Sequence, residues 1–129
     1  MEIKRIEHMA INTIHFNKAV NFYRDIMGFQ QLETIENGDS EITYFMLPDG
    51  ARLELFDYGG KNDAPGKCDS SAGLRHLAFE VADVAAHENE LRAKGVNITF
   101  PTTELKHLGV RVLLFQDPDG VTIEFCEKL

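Results

Sequence analysis

The organisation of this chain is decided by the stretch Pro118-Asp119-Gly120-Val121-Thr122-Ile123-Glu124-Phe125. An earlier stretch, Pro48-Asp49-Gly50-Ala51-Arg52-Leu53-Glu54-Leu55, has the same plan: a Pro-Asp-Gly turn and, six residues after the proline, a glutamate between large apolar residues. A tight turn that separates two runs of alternating apolar and polar residues predicts a β-hairpin. Two copies of one such hairpin indicate an internal repeat.

A histidine stands at a matching place ahead of each hairpin. His8-Met9-Ala10 is echoed by His76-Leu77-Ala78, and the histidine precedes the glutamate by 46 residues in the first copy and by 48 in the second. The repeat unit is therefore about 50 residues long, and 129 residues hold two such modules.

Both modules have the same predicted order of strand, helix and three strands. Helical spacing of Ala19, Val20, Tyr23 and Met27 predicts a first helix that Gly28 ends, and Asp83 is the expected cap of the second helix. The fold class is α+β, and residues 1–129 form a single domain of modules 1–58 and 74–129 joined by a loop at 59–73. The expected strands are 5–12, 29–35, 42–47, 51–56, 74–81, 97–100, 110–115 and 121–126, the expected helices are 17–27 and 84–94, and a second loop is expected at 101–109.

Composition excludes several classes of function. The 13 basic and 21 acidic residues give a net charge of −8, which argues against binding to nucleic acid or to an anionic membrane surface. No apolar run approaches the length of a membrane span or has the form of a signal peptide. Cys68 and Cys126, the two cysteines, do not make a disulfide framework. We therefore expect a cytoplasmic protein with free thiols.

The two histidines and two glutamates of the repeat are candidate ligands of one metal ion. Glu54 and Glu124 each lie on a predicted strand between apolar neighbours, and a glutamate on an interior strand face is costly unless it is paired or binds a cation. A lone strand His or Glu is more often simply hydrogen-bonded or solvated, but four in register favour a metal. His8, Glu54, His76 and Glu124 offer a mixed nitrogen and oxygen set that suits Ni(II), Co(II), Zn(II), Fe(II) or Mn(II). Four ligands in an octahedron would leave two positions for water or substrate.

The sequence resembles the vicinal oxygen chelate superfamily, which includes the glyoxalases, bleomycin resistance proteins and dioxygenases. The resemblance covers the whole chain and rests on His8-Met9-Ala10-Ile11, residues 22–29, Leu53-Glu54-Leu55-Phe56, residues 74–79 and residues 117–125. It implies two βαβββ modules that form a cupped, barrel-like mixed sheet around one divalent transition metal. The four ligand positions of the superfamily fall on the four residues named above.

Within the superfamily, the sequence is most similar to bacterial glyoxalase I, because Glu54 stands where methylmalonyl-CoA epimerases usually have Gln. The implied activity is that of a metal-dependent lyase or isomerase, which converts a 2-oxoaldehyde–thiol hemithioacetal through an enediolate held on the metal. Glu124 is the expected catalytic base, with Glu54 opposite it. Asn12 and Tyr58 depart from the residues with which glyoxalase I holds glutathione, so another thiol adduct or α-hydroxycarbonyl substrate is equally open.

Two other functions remain as alternative hypotheses. One is a different metal enzyme on the same scaffold, either an epimerase or an oxygenase such as a ring-cleaving dioxygenase. The other is a metal-free protein that sequesters a small molecule, such as an antibiotic. The short modules favour a homodimer, in which the site lies within one chain or is shared between two. His15 and His87 are expected at the surface, and His107, in the second predicted loop, could reach a substrate.

Overall fold

The computed structural model describes residues 1–62 and 72–129, which fall into two compact units, Met1–Ala64 and Pro65–Leu129. Most of the predicted loop 59–73, together with Cys68, lies outside the described residues. The predicted module boundaries and the cupped arrangement of the two modules stay predictions. The α+β class is confirmed, because the described part of each unit combines helical segments with a four-stranded mixed sheet.

The first unit contains the sheet β1-β4-β3-β2, in which β1 and β4 are parallel and the other neighbours antiparallel. Alternation along β4 buries Leu53 and Leu55 on one face, as expected. The ring of Tyr23 lies 6.1 Å from that of Phe45, so the helical segment covers this buried face. The strands are β1 (His8–Thr13), β2 (Gln30–Asn37), β3 (Ser40–Met46) and β4 (Arg52–Asp57).

The helical segment of the first unit changes type partway along its length. An α-helix, α1 (Phe16–Val20), continues as a π-helix over Asn21–Ile26, where the Met27 N–H donates to the Phe22 carbonyl five residues back. The side chains of Phe22 and Tyr23, in this π-helical part, are both buried. Gly28, with a φ of +76°, ends the helix as predicted, because glycine enters the left-handed region without strain.

The second unit repeats this plan in the sheet β5-β8-β7-β6. Its first and last strands, β5 and β8, are again parallel, and the other pairs are antiparallel. Asp83 caps the helix by accepting a hydrogen bond from the Ala86 N–H at 3.0 Å, which confirms the predicted cap. The elements are β5 (Leu77–Glu80), α2 (Val84–Ala93), β6 (Asn97–Leu105), β7 (Val110–Gln116) and β8 (Thr122–Lys128).

The predicted loop at 101–109 is wrong. β6 does not end at residue 100 but continues to Leu105, and a 3₁₀ turn over Lys106–Leu108 leads into β7. Proline normally ends a central strand because it donates no backbone hydrogen bond. Here Pro101 lies on the edge strand of the sheet, at a register shift between Phe100 and Thr103, where the ladder requires no donor.

Candidate functional site

The first unit brings His8 and Glu54 together across its parallel strand pair. Glu54 on β4 lies opposite Ala10 on β1, and His8 is two residues before Ala10 on the same face. His8 Nε2 and Glu54 Oε2 are 3.5 Å apart. Only 14% of the Glu54 side chain is exposed, so this carboxylate is largely removed from water with an imidazole beside it.

The second unit contains the equivalent pair. Glu124 on β8 lies opposite Ala78 on β5, and His76 is again two residues before that alanine. His76 Nε2 and Glu124 Oε2 are 3.1 Å apart, and the side chains are 24% and 17% exposed. The two units thus present the same histidine–glutamate geometry, as the repeat in the sequence predicts.

These pairs fit the edges of a metal coordination shell. Bonds of about 2.1 Å, at angles between the octahedral and tetrahedral values, place neighbouring ligand atoms about 3.0–3.4 Å apart. The two N–O separations, 3.5 and 3.1 Å, lie at or close to that range. Imidazole nitrogen and carboxylate oxygen are also the donors that divalent transition metals accept. Each pair is therefore able to supply two ligands to one ion.

A third residue of this group, Glu7, is not among the residues predicted from the sequence. Its carboxylate contacts Nδ1 of His8, on the other side of the ring from Glu54. Within residues 1–62 and 72–129, Glu7, His8 and Glu54 are the one group of three potential metal ligands whose ligand atoms all lie within 4.8 Å of one another. Strand alternation predicts opposite faces for residues 7 and 8, but β1 starts only at His8, so that rule does not apply to Glu7. The only signal in the sequence is an acidic residue directly before the histidine.

The charges around His8 shift its ionisation. The hydrogen bond that His8 Nδ1 donates to the Glu7 carboxylate raises the pKa of His8 above its ordinary value, and the nearby Glu54 charge raises it further. The same hydrogen bond lowers the pKa of Glu7. The positive form of His8 is thereby favoured, as expected for an imidazole between two carboxylates.

Other residues singled out in the sequence differ in their exposure. His15 and His107 are exposed, His15 as expected. His87 is only half-exposed, because its ring packs edge-on against Phe125 at 5.2 Å. Cys126 is a half-buried free thiol.

A polar pocket of about 330 Å³ lies at another part of the first unit. It is formed by the turn between β2 and β3, by Asp57 at the end of β4 and by Tyr58 and other residues that follow that strand. Asp57 is on the opposite face of β4 from Glu54, because alternate strand residues point to opposite sides. The pocket includes neither His8 nor Glu54. In the described part of the chain, no helix is both long and apolar enough to cross a membrane.

Comparison with known proteins identifies the family. The sequence profile of the glyoxalase/bleomycin resistance protein/dioxygenase superfamily matches residues 5–125. A probable lactoylglutathione lyase of Vibrio parahaemolyticus is 30% identical, and the match covers 96% of this chain and 91% of that protein. A lactoylglutathione lyase of Haemophilus influenzae is also 30% identical, with 96% and 93% covered.

A solved structure supports the same assignment. The crystal structure of a glyoxalase family protein from Enterococcus faecalis aligns with a TM-score of 0.85 and 29% identity, and the alignment covers 98% of this chain and 100% of that one. The repeated modules, the two mixed sheets and these similarities agree. The chain therefore belongs to the glyoxalase/bleomycin resistance protein/dioxygenase superfamily.

Proposed function

We propose that this protein is a metal-dependent lyase or isomerase of the glyoxalase I type. The observation that carries the proposal is the repeated histidine–glutamate pair, with the same strand register and a largely buried carboxylate in each unit. Relatives named lactoylglutathione lyase at about 30% identity support it. His8, Glu54, His76 and Glu124 would together hold one ion of Ni(II), Co(II), Zn(II), Fe(II) or Mn(II).

Burial of the two glutamates costs folding free energy if the pairs bind no cation. A glutamate side chain that is more than four-fifths buried loses hydration of its carboxylate, and one imidazole replaces only part of that hydration. The described contacts of Glu54 and Glu124 include no arginine or lysine partner. A divalent ion would neutralise both carboxylates and satisfy both Nε2 atoms, so a single ligand explains four otherwise poorly matched groups.

The proposed reaction is a proton transfer between neighbouring carbon atoms. When bound, the metal supplies Lewis acidity, which makes the C–H bond beside a carbonyl more acidic. Glu124 takes the proton from the hemithioacetal carbon and returns it to the adjacent carbon, while the hydroxyl proton moves to the adjacent oxygen. The hemithioacetal thus becomes a 2-hydroxyacyl thioester, with atoms and electrons balanced. Glu54 is the second carboxylate of the proposed site.

The first test is metal content per chain. The protein is purified without a metal-affinity column, reloaded with each of the five ions in turn, and analysed by elemental mass spectrometry. We expect about one ion per chain in the wild type and a large loss in His8→Ala, Glu54→Ala, His76→Ala and Glu124→Ala. His107→Ala and Glu104→Ala are matched controls, because they remove the same residue types from exposed positions, and they should retain the metal.

Activity separates this function from the alternatives. Methylglyoxal premixed with different thiols should give thioester formation that depends on the metal, and Glu124→Gln should retain much of the metal while losing most turnover. Oxygen consumption with a catechol would instead indicate a dioxygenase. A wild-type protein that binds none of the five ions would refute the proposal and favour a small-molecule sequestering protein.

A further inference from the structure

The His8 ring is held between two carboxylates that face different nitrogens. Glu7 contacts Nδ1, and Glu54 Oε2 lies 3.5 Å from Nε2. A neutral imidazole carries one proton, and a carboxylate beside Nδ1 favours the form with that proton on Nδ1. The Nε2 lone pair then points towards Glu54. His8 Nε2 and Glu54 Oε2, which are both electron-rich, are thus placed so that one cation can bind to both.

The backbone fixes the place of Glu7. The Arg52 N–H donates to the Glu7 carbonyl oxygen at 3.1 Å, so the parallel ladder begins one residue before β1 itself. The Arg5 guanidinium also reaches the carbonyl oxygens of Ile6 and Gly50, at 3.3 and 3.5 Å. The segment that carries Glu7 is thus attached to the turn before β4. The Glu7 carboxylate is exposed, but its backbone is anchored beside His8.

The second unit lacks this arrangement. The residue before His76 is Arg75, of opposite charge to Glu7. Nδ1 of His76 is buried and has no hydrogen-bond partner among the described residues. We call each histidine–glutamate pair a half-site. The two half-sites have the same histidine–glutamate contact but differ in the group beside Nδ1 of the histidine. An outer carboxylate is therefore a specific feature of the first half-site and not a general property of the repeat.

We propose that Glu7 is a positioning residue, which holds His8 in the tautomer and ring orientation that present Nε2 to the metal. This inference rests on the proposed function, because it takes His8 to be a ligand. Carboxylates behind metal-binding histidines orient the ring and raise its basicity as a ligand, and their removal typically weakens metal binding by about 10–100-fold. Glu7 acts through His8 and does not itself bind the ion.

The test measures Zn(II) affinity by competition with a chromophoric chelator. Glu7→Ala should bind Zn(II) about 10–100-fold more weakly than the wild type. Glu7→Gln retains an oxygen that accepts a hydrogen bond from Nδ1, so it should recover most of the affinity. Glu33→Ala is the matched control: it removes an exposed carboxylate that contacts Arg52 at 3.0 Å, and it should leave the affinity within about twofold of the wild type.

A spectroscopic readout accompanies the affinities. Long-range ¹H–¹⁵N correlation spectra of the metal-free and zinc-loaded proteins, with His8 assigned by its absence from His8→Ala, report which ring nitrogen carries the proton. The zinc-loaded wild type and Glu7→Gln should show His8 protonated at Nδ1. In metal-free Glu7→Ala the preference for Nδ1 should be lost. A general structural defect would not change the tautomer of this one ring.

The outcomes distinguish this inference from the proposed function. Equal Zn(II) affinity in the wild type and Glu7→Ala would overturn the role of Glu7 and leave the metal site intact. Failure of Glu7→Gln to recover affinity would also overturn it, since Glu7 would then be a direct ligand. If the wild type binds no ion, the proposed function fails, and this inference fails with it. Weak binding by Glu7→Ala, recovery by Glu7→Gln and an altered His8 tautomer would support it.

Discussion

Replacement of Glu54 by leucine is expected to stabilise the metal-free protein. The Glu54 side chain is 14% exposed and lies between the buried Leu53 and Leu55 along β4, so the native carboxylate is held away from water. Its partner His8 is 44% exposed and keeps its contact with Glu7, so the substitution leaves no stranded charge. A functional carboxylate of this kind lowers stability for the sake of binding, and its removal should reverse that loss.

The expected gain is about 1 kcal/mol, the lower end of the range for replacing buried ion pairs with apolar residues, because His8 is only half-buried. Unfolding entropies of about 2.1 cal/mol/K per residue give roughly 270 cal/mol/K for a chain of 129 residues. One kcal/mol therefore corresponds to a rise in Tm of about 4 °C.

The assay is thermal unfolding followed by circular dichroism at pH 7.5, after removal of metal with a chelator and dialysis. Glu33→Leu is the control, because Glu33 also has a cationic partner but is 49% exposed, and its Tm should match that of the wild type. A Tm for Glu54→Leu that is 4 °C or more below the wild type would refute the reasoning. Glu54 would then be a structural ion-pair partner and not a residue kept for binding.

Three further results are expected. A metal present at 100 times its Kd should stabilise the wild type by about 2.7 kcal/mol and leave Glu54→Leu unchanged, which reverses the order of the two Tm values. Hydrogen bonding to Thr102, whose backbone N–H donates to the Glu88 carboxylate at 2.8 Å, lowers the pKa of Glu88. The stability that Glu88 contributes is therefore complete above about pH 4.5, and it is lost as the pH falls through the lower pKa of the folded state. The urea midpoints of the wild type and Glu88→Gln should thus differ at pH 7 and converge in acid. Asp117, 5% exposed, accepts two backbone N–H bonds at 2.8 Å in the turn before β8, and Asp117→Ala should lower the free energy of unfolding by about 2 kcal/mol in urea titrations.

The repeat made most of the fold predictable. Strand alternation correctly assigned Leu53, Leu55 and Ile123 to buried faces. The cap at Asp83 was predicted from its position directly before the second helix. These features are local, and each depends on a few neighbouring residues. The pairing of each histidine with its glutamate was also predictable, because the repeat places the same residues on the same strands.

The features that the sequence does not predict depend on contacts between residues that are far apart along the chain. The sequence predicts a loop that starts at Pro101, because the edge position that tolerates proline exists only once the sheet has formed. Helical periodicity predicts a helix with an apolar face, but it does not predict the change from α-helix to π-helix at Asn21. The predicted strand at 5–12 assigned Glu7 to the face opposite His8, but β1 begins only at His8.

The parallel pairing of β1 with β4 determines when the first half-site can form. The antiparallel pairs β2–β3 and β3–β4 join neighbours along the chain and can form early, whereas β1 must close a long loop to reach β4. During synthesis, His8 precedes Glu54 by 46 residues, a delay of roughly 2–9 s at 5–20 residues per second. His8 is therefore synthesised seconds before Glu54, the residue with which it would bind the metal. We expect metal capture to follow folding of the unit, in contrast to small zinc domains that fold around their ion.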